Sequence, residues 1–282
     1  MTPNVSFPAE WYPQSGIQLT WPHPNTDWAY MLDEVTDCYK KLASEISQRE
    51  KLIIVTPCPD EVKKQLQDTI DIESVRFIEC PTNDTWARDH GGITVFRDGV
   101  PVIYDFKFNG WGLKFAANYD NLITSTLYNE NVFNALYENK LNFVLEGGAL
   151  ESDGAGTLLT TSECLLSPNR NGEWTRPVIE EYLKRTFGLQ RILWTTAISP
   201  ETTPIATSTH WPDLQTKIRS FTYNAPIRKT STTMHCIKWK HSFKPSQRSA
   251  GNRIICFPYP CPKPFTMKTE SVYRQLMPTF SS

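Results

Sequence analysis

The chain has 282 residues, 39% of them apolar, and a formal net charge of −1, which suits one large domain or two ordinary ones and excludes a fully disordered chain. No run of eighteen apolar residues occurs, and the first residues lack both a basic start and an apolar stretch, so we expect neither a membrane-spanning helix nor a secretory signal. The seven cysteines are odd in number and lack CxxC spacing, which favours a reduced, cytoplasmic compartment over a disulfide framework or a zinc site.

The first two thirds of the chain alternate predicted helices and strands. Helical spacing of apolar residues predicts helices at 28–49, 60–68 and 177–185. Short β-branched and aromatic runs predict strands at 52–55, 75–78, 93–96, 102–108, 143–145, 157–160 and 191–194. This alternation predicts an α/β protein built from ββαβ-like modules.

Charge and glycine content divide the chain near residue 196. Residues 1–196 hold 17 Lys and Arg against 27 Asp and Glu, whereas residues 197–282 hold 12 against 3. Twelve of the 13 glycines lie in the first part, and ten of the 21 prolines lie in the second. We therefore treat 1–196 and 197–282 as different kinds of sequence, and composition alone favours a disordered basic tail for the second.

The densest group of polar side chains is the segment NDTWARDHGG at residues 83–92. We expect it in a turn after a strand, where α/β proteins carry their sites. A buried carboxylate there can bind a cation, and a tryptophan beside it can exclude water. The structural alternative is a satisfied turn in which Asp84 caps, Arg88 pairs with Asp89 and Trp86 fills the core.

Two glycine-rich stretches follow. In LEGG, residues 145–148, a glutamate after a strand precedes two glycines that allow close backbone approach by a ligand. A hairpin with a glycine bulge explains these glycines but not Glu146. In FNGWG, residues 108–112, Asn109 and Trp111 belong to an aromatic loop that forms either a lid or substrate wall, or a packed surface loop.

Such a set of residues suits a cationic, planar substrate. Paired carboxylates form fork-like hydrogen bonds to a guanidinium group, and tryptophan faces add cation–π contacts. Neither GxxxxGK[ST] nor GxGxxG occurs in the sequence, which argues against nucleotide chemistry.

Five motifs, taken in this order, resemble the agmatine deiminases. They are PAEW at residues 8–11, the segments 83–92, 108–112 and 145–148, and TTSECLLSPNRN at residues 160–171. Agmatine deiminases belong with the bacterial peptidylarginine deiminases in the guanidino-modifying superfamily of five-module α/β propellers, the penteins. The resemblance covers residues 7–196 and implies an incomplete pentein in 1–196, with about three modules present, followed by an irregular, low-structure tail at 197–282.

The resemblance also implies roles for individual residues. Asp89 matches the family aspartate that grips the guanidinium, and Glu146 matches the glutamate beside the reacting carbon and the catalytic histidine. Trp86, Trp111 and Asn109 are expected to contact the substrate. In the family a cysteine thiolate attacks the guanidinium carbon, ammonia leaves, and a histidine activates the water that breaks the thiouronium intermediate. The reaction needs no metal and no organic cofactor, and it converts agmatine to N-carbamoylputrescine in putrescine biosynthesis.

The sequence departs from the family after Trp194. The family's histidine segment, similar to GDDTDSHID, and its nucleophile segment, similar to GGGNIHC, are both missing. Cys164 matches a family cysteine that is not the nucleophile, and His90 stands at no family catalytic position. We therefore predict that this chain has neither the nucleophilic cysteine nor the general-base histidine.

Back-translation of the tail points to a cause. When each codon is read one base earlier, residues 197–214 can encode GYLAGDDTDSHIDTLARF, which is the missing family segment with its histidine. We therefore predict a single frameshift at or just before the Thr196–Ala197 junction and an out-of-frame tail at 197–282. A chain without nucleophile and base is expected to lack deiminase activity.

Other functions stay open at this point. A non-catalytic guanidinium- or polyamine-binding protein needs only Asp89 and Glu146, and peptidylarginine deimination or amidino transfer uses the same fold. A basic tail with aromatic residues is also typical of nucleic-acid binding, although a frameshift explains that composition. We expect a small-molecule guanidino substrate, no nucleic-acid partner and no membrane association, and we assign no oligomeric state.

Overall fold

The computed structural model describes residues 4–195 and 254–256. Its strands are β1 (Val5–Ser6), β2 (Gly16–Thr20), β3 (Leu52–Thr56), β4 (Val75–Glu79), β5 (Ile93–Arg97), β6 (Val100–Lys107), β7 (Leu136–Val144), β8 (Glu151–Ser152), β9 (Thr157–Thr161), β10 (Arg191–Thr195) and β11 (Ile254–Cys256). Its helices are α1 (Leu32–Ser47), α2 (Pro59–Leu66), α3 (Ala87–His90), α4 (Gly110–Leu113), α5 (Asp120–Asn129), α6 (Ser162–Leu165), α7 (Pro168–Asn171) and α8 (Arg176–Phe187). Short 3₁₀ turns lie at Ala29–Met31, Ile72–Ser74 and Gly147–Ala149.

The strands form three sheets of mixed direction. One sheet has the order β11-β2-β3-β4, and each pair of adjacent strands in it is parallel. A second has the order β1-β5-β6-β7, in which β5 and β6 form an antiparallel hairpin and β6 pairs with β7 in parallel. The third has the order β10-β9-β8. The predicted α/β class is confirmed, while the count of about three pentein modules stays a prediction.

Helix α1 shows why the predicted helices form. Its buried residues recur at helical spacing and pack on the parallel sheet: Val35, Tyr39, Ala43 and Ile46. Two acidic residues in its first turn stabilise the helix, because their negative charge lies at the positive end of the helix dipole. The Trp21 ring, just after β2, meets the Tyr39 ring edge-on with centroids 5.6 Å apart.

Several elements differ from the sequence expectation. Strand β7 runs from residue 136 to 144 rather than over 143–145, because its first part is half exposed and polar and lacks a hydrophobic run. Neither β2 nor α5 was expected. The four residues Ile17 to Thr20 of β2 do alternate apolar and polar side chains, but the run is short, and all five residues of the strand are buried, Gln18 and Thr20 included.

Three loops that follow strands meet on one side of these sheets. The segment 83–92 follows β4, the segment 108–112 follows β6, and the segment 145–148 follows β7. Gly92 allows the first loop to close on its neighbours, because a Cβ there would lie 2.5 Å from Cγ2 of Ile103. These are the three loops that the sequence singled out for chemistry.

The predicted boundary at residue 196 and almost all of the predicted out-of-frame tail lie outside the described residues. The exception is β11, which pairs in parallel with β2 and matches Ile254 to Gly16. A strand at these three residues was not part of the expectation of an irregular tail. Within the described residues, the helices are all too short or too polar to cross a bilayer.

Candidate active site

Asp89 lies in the single turn of α3 and is only 4% exposed. Two groups from other loops donate hydrogen bonds to its carboxylate. Trp111 Nε1 donates to Oδ2 over 3.2 Å, and the backbone N–H of Gly148 donates to the same carboxylate. Asp89 therefore joins all three loops that follow β4, β6 and β7.

Glu146 follows β7 and is completely buried. The next residue, Gly147, lies against α3 so closely that a Cβ there would be 2.4 Å from the carbonyl oxygen of Arg88. The glycine therefore admits the chain's own backbone, and the expected approach of a ligand at this point is corrected. This contact brings the loop of Glu146 next to the loop of Asp89.

Arg170, which was not among the residues predicted for the site, forms a buried ion pair with Glu146. Its Nε lies 2.7 Å from Oε1 and 3.0 Å from Oε2, and the arginine side chain is 6% exposed. Helix α7 carries Arg170 and is tied to the end of β7 by two hydrogen bonds between the Asn171 amide and the backbone of Val144. The signal was present in the fifth motif, where Arg170 stands between two asparagines.

Burial dominates the electrostatics of both carboxyl groups. Loss of hydration raises the pKa of Asp89 to about 7, and the negative charge of Glu146 acts in the same direction. Burial also raises the pKa of Glu146, while the Arg170 guanidinium opposes this rise. Exposed Lys114 acts on Glu146 more weakly. The Arg88 guanidinium also opposes the rise in the pKa of Asp89, although burial outweighs it. Each carboxylate thus has an arginine near it, and Glu146 is the one in direct ion-pair contact with its arginine.

Two tryptophans form a wall beside the carboxylates. The Trp86 and Trp111 rings meet edge-on with centroids 5.4 Å apart. Trp111 lies in α4, whose four residues all have positive φ, so this turn is left-handed. Gly110 at its start is required, since a Cβ there would lie 2.1 Å from the Phe115 carbonyl oxygen. The strained backbone holds the indole N–H on Asp89.

The Asn109 side chain bonds to two parts of the chain. Its Oδ1 accepts the backbone N–H of Gly112 over 2.9 Å, and its Nδ2 donates to the carbonyl of Asn169 over 2.8 Å. Both ends of the amide are thus engaged by the chain. Asn109 ties the aromatic loop to α7, and its contact with substrate stays a prediction.

The structural alternative, in which Arg88 pairs with Asp89, does not describe the contacts of Arg88. Arg88 donates instead to Oε1 of Glu10 over 2.9 Å and to the carbonyl of Leu150 over 3.1 Å. Glu10 belongs to the first motif, so this bond links the start of the chain to α3. Asp84 accepts the backbone N–H of Thr85 over 2.7 Å, but it does not cap α3, whose N-cap is Trp86.

Neither Cys164 nor His90 has the properties of a catalytic group. Burial and the neighbouring Glu146 carboxylate raise the pKa of the Cys164 thiol to about 11, so it stays protonated at neutral pH. Burial lowers the pKa of His90 to about 3, and its Nε2 lies 3.4 Å from Oγ1 of Thr20. Over residues 4–195 and 254–256, the structure contains no cluster of three or more potential metal ligands.

The sequence matches the family of Porphyromonas-type peptidyl-arginine deiminases over residues 6–240. A provisionally named agmatine deiminase from Vibrio parahaemolyticus is 35% identical over 194 residues, which are 67% of this chain and 52% of that protein. A similarly named protein from Legionella pneumophila is 36% identical over 195 residues and is covered over 53% of its length. The chain thus spans about half the length of the curated relatives it matches.

Solved structures show the same likeness. The agmatine deiminase of C. jejuni with substrate bound superposes with a TM-score of 0.62 at 36% identity, over 67% of this chain and 55% of that one. A provisionally named arginine deiminase from Porphyromonas gingivalis superposes with the same TM-score at 50% identity, over 68% and 57% of the two chains.

Proposed function

The chain belongs to the Porphyromonas-type peptidyl-arginine deiminase family, and from this premise we propose that Asp89 and Glu146 form the guanidinium-binding part of a guanidine hydrolase of the agmatine deiminase type. In the proposed complex the Asp89 carboxylate accepts N–H bonds from the substrate guanidinium. Glu146 lies beside the carbon that reacts. Trp86 and Trp111 exclude water from the bound cation.

The observation that carries this proposal is that two neighbouring carboxylates are buried and that one of them, Asp89, has no direct ion pair among the contacts described. Burying a carboxylate costs free energy unless a positive partner compensates it. Arg170 forms a direct ion pair with Glu146, whereas Asp89 receives neutral donors from Trp111 and Gly148 and is stabilised by the Arg88 charge only through space. A planar cation that donates to Asp89 supplies the missing charge, and a guanidinium has both the charge and the geometry.

The covalent step needs groups beyond these two. In the proposed reaction a thiolate attacks the guanidinium carbon, ammonia leaves with one substrate nitrogen, and water then releases the ureido product and restores the thiolate. Neither Cys164 nor His90 is suited to these roles, since one is a protonated thiol and the other a neutral, buried imidazole. We therefore propose that the 282-residue chain binds a guanidinium without hydrolysing it.

Calorimetric titration with n-butylguanidine tests the guanidinium site alone. We expect saturable binding by the full chain at pH 8, where Asp89 is ionised, and at least a tenfold weaker affinity for D89N, since one charge-assisted interaction is lost. D105N is the matched control, because Asp105 is also a buried carboxyl but bonds to Tyr137 elsewhere in the second sheet. Equal affinity of D89N and the wild-type chain would contradict the proposal.

Activity is measured on the same samples as ammonia released from agmatine. We expect none from the 282-residue chain. We expect release after a one-base correction at the Thr196–Ala197 junction restores the reading frame. Robust release by the uncorrected chain would contradict both the inactivity and the predicted frameshift.

A second candidate is deimination of arginine or an arginine residue. The 50% identity with the Porphyromonas gingivalis protein of that provisional name favours it. The two candidates share the guanidinium site and differ in what the other end of the substrate carries. Competition of L-arginine and agmatine for the n-butylguanidine site separates them: tighter binding of L-arginine supports the second candidate, and tighter binding of agmatine supports the first.

A further inference from the structure

A cavity of about 320 Å³ lies at the amino ends of the parallel strands β2, β3 and β4. Its lining comes from this sheet on one side, and from β6 and the segment 132–135 before β7 on the other. The three loops of the candidate active site follow the carboxyl ends of their strands. The cavity therefore lies at the opposite ends of β4 and β7 from Asp89 and Glu146.

Two cationic side chains of the lining, Lys51 and Arg76, lie on the same face of the parallel sheet. Arg76 lies directly opposite Ile53 in the register of β4 with β3. Lys51 precedes Ile53 by two residues, and its carbonyl oxygen accepts the backbone N–H of Ile17 over 2.8 Å, so it continues the pairing of β3 with β2. Side chains two positions apart on a strand point to the same face. The lysine and the arginine are therefore diagonal neighbours on adjacent strands, a separation that long side chains can span.

These two charges have no carboxylate partner among the described residues. The described lining of the cavity contains neither aspartate nor glutamate, and no salt bridge in the described part of the chain includes Lys51 or Arg76. Glu50, next to Lys51 in sequence, accepts a hydrogen bond from a glutamine side chain. The Arg76 guanidinium donates to the backbone carbonyls of Glu130 and Asn131, just after α5. These neutral acceptors hold the guanidinium in place without cancelling its charge.

The inner part of the cavity is apolar. Leu52, Ile53 and Ile103 are buried, and Phe133 packs against the apolar cluster that contains Ile53. The two cations lie in the exposed part of the lining. A ligand that matches both parts has an anionic group joined to a small apolar body, because small-molecule sites combine an apolar lining with a few polar groups that fix the orientation of the ligand.

We propose that this cavity binds a small amphipathic oxyanion, a carboxylate or phosphate ester joined to an apolar body, with Lys51 and Arg76 as its charged partners. Like charges on neighbouring strands destabilise a sheet, and an anion placed between them replaces this repulsion with two charge-assisted interactions. The apolar body displaces water from the buried side chains behind the cations. The inference goes beyond the proposed function and does not depend on it, since the residues that carry it are separate from those of the guanidinium site.

Calorimetry on the full 282-residue chain at pH 8 and low ionic strength tests this proposal with three probes. Phenyl phosphate and benzoate carry the two kinds of anionic group, and benzyl alcohol is a neutral molecule of similar size. We expect at least one of the two anions to bind saturably, one per chain, and at least about tenfold more tightly than benzyl alcohol, because the neutral probe lacks charge-assisted hydrogen bonds. The anion that binds more tightly identifies the preferred group as phosphate or carboxylate. Affinities for both anions no greater than that for benzyl alcohol would overturn the inference.

K51M is the variant that tests the site, because methionine keeps most of the length of the lysine side chain and removes its charge. Lys51 is exposed, so this substitution leaves the core intact. K64M is the matched control: Lys64 is an exposed lysine of α2, whose buried residues pack on the other face of the same sheet. We expect K51M to bind the preferred anion about tenfold more weakly and K64M to bind it as the wild-type chain does. An unchanged affinity in K51M, or an equal loss in both variants, would overturn the inference.

The anion site and the guanidinium site are tested separately. K51M should bind n-butylguanidine as the wild-type chain does, and D89N should bind the preferred anion as the wild-type chain does. A wild-type chain that fails to bind n-butylguanidine but binds the anion through Lys51 would contradict the guanidinium site and support the anion site. Displacement of the anion by n-butylguanidine would place both ligands in one site and would overturn the inference.

Discussion

At the scale of single residues, Glu146 and Arg170 depend on each other. Both are buried, and the arginine Nε lies within 3.0 Å of both carboxylate oxygens. Removing one partner leaves the other charge buried without compensation, which typically costs about 3–5 kcal/mol. We therefore expect R170A to lower the free energy of unfolding by about that amount in urea denaturation at pH 7.

The control for this substitution is R49A. Arg49 pairs with Glu45 over 2.7 Å on the surface of α1, with both side chains more than half exposed. An exposed pair of this kind contributes about 1 kcal/mol or less. The double variant E146Q/R170A should be more stable than R170A, since it no longer buries an uncompensated charge. R170A with no larger effect than R49A would contradict a buried, mutually dependent pair.

Single residues also show where sequence reasoning stopped. Asp89 and Glu146 were found because acidic residues next to glycines after strands suggest a site. Arg170 and Asp120 were not predicted, because their roles depend on contacts with residues 24 and 36 positions away in the chain. Asn109 lies in one of the three loops, and its side-chain amide forms hydrogen bonds to that loop and to α7. Residue type and local spacing predict candidates, whereas the partner of each group is fixed only by packing.

At the scale of elements, the site depends on how closely the 3₁₀ turn Gly147–Ala149 lies against α3. The contact is backbone to backbone, with no room for a Cβ at Gly147. We expect G147A to push the turn away from Arg88, to cost about 1–3 kcal/mol of unfolding free energy as overpacking does, and to weaken n-butylguanidine binding. Denaturation and calorimetry on the same variant measure the two effects.

G99A is the control at this scale. Gly99 lies in the exposed turn between β5 and β6 with φ of +80° and nothing within 4 Å of an added Cβ. We expect G99A to lower the free energy of unfolding by about 1 kcal/mol through backbone strain alone. Ligand binding should not change. Unaltered binding by G147A would mean that the carboxylates do not depend on this contact.

Elements with strong local patterns were predictable, and elements held by tertiary packing were not. Helix α1 has acidic residues in its first turn and a clear apolar face. Helix α5 has the sequence DNLITSTLYN, in which threonine, serine and asparagine are poor helix formers. It is nevertheless held because Ile123 and Leu127 are fully buried against the parallel sheet.

At the scale of the whole molecule, the buried carboxyl groups set how stability depends on pH. Burial raises the pKa of Asp89 to about 7 and that of Asp105 and Asp120 to about 6. Unfolding returns these groups to an aspartate pKa of about 3.9. Between these limits the folded chain binds more protons than the unfolded chain, so its stability falls as pH rises.

Other groups make the stability of the folded chain increase with pH, but they act at lower pH or are fewer. His90 is kept neutral by burial with a pKa of about 3, so its contribution to stability increases as pH rises from about 3 to 6.5. The lowered pKa values of Glu138 and Asp153 add stability that is lost only under acidic conditions. Above about pH 6.5 Asp89 dominates the titration of these three aspartates, because its pKa of about 7 is the highest among them.

We therefore expect the free energy of unfolding in urea to decrease from about pH 5 to about pH 7.5. D89N should remove the decrease above about pH 6.5, because an amide does not titrate, whereas D105N should flatten the curve only at lower pH. The two variants thus separate the site carboxyl from a structural one within a single measurement. A stability that rises through this range, or a D89N curve parallel to that of the wild-type chain, would contradict a protonated Asp89. A guanidinium ligand should offset this decrease in the free energy of unfolding. It binds the ionised form of Asp89 and therefore stabilises the folded chain more at pH 8 than at pH 6.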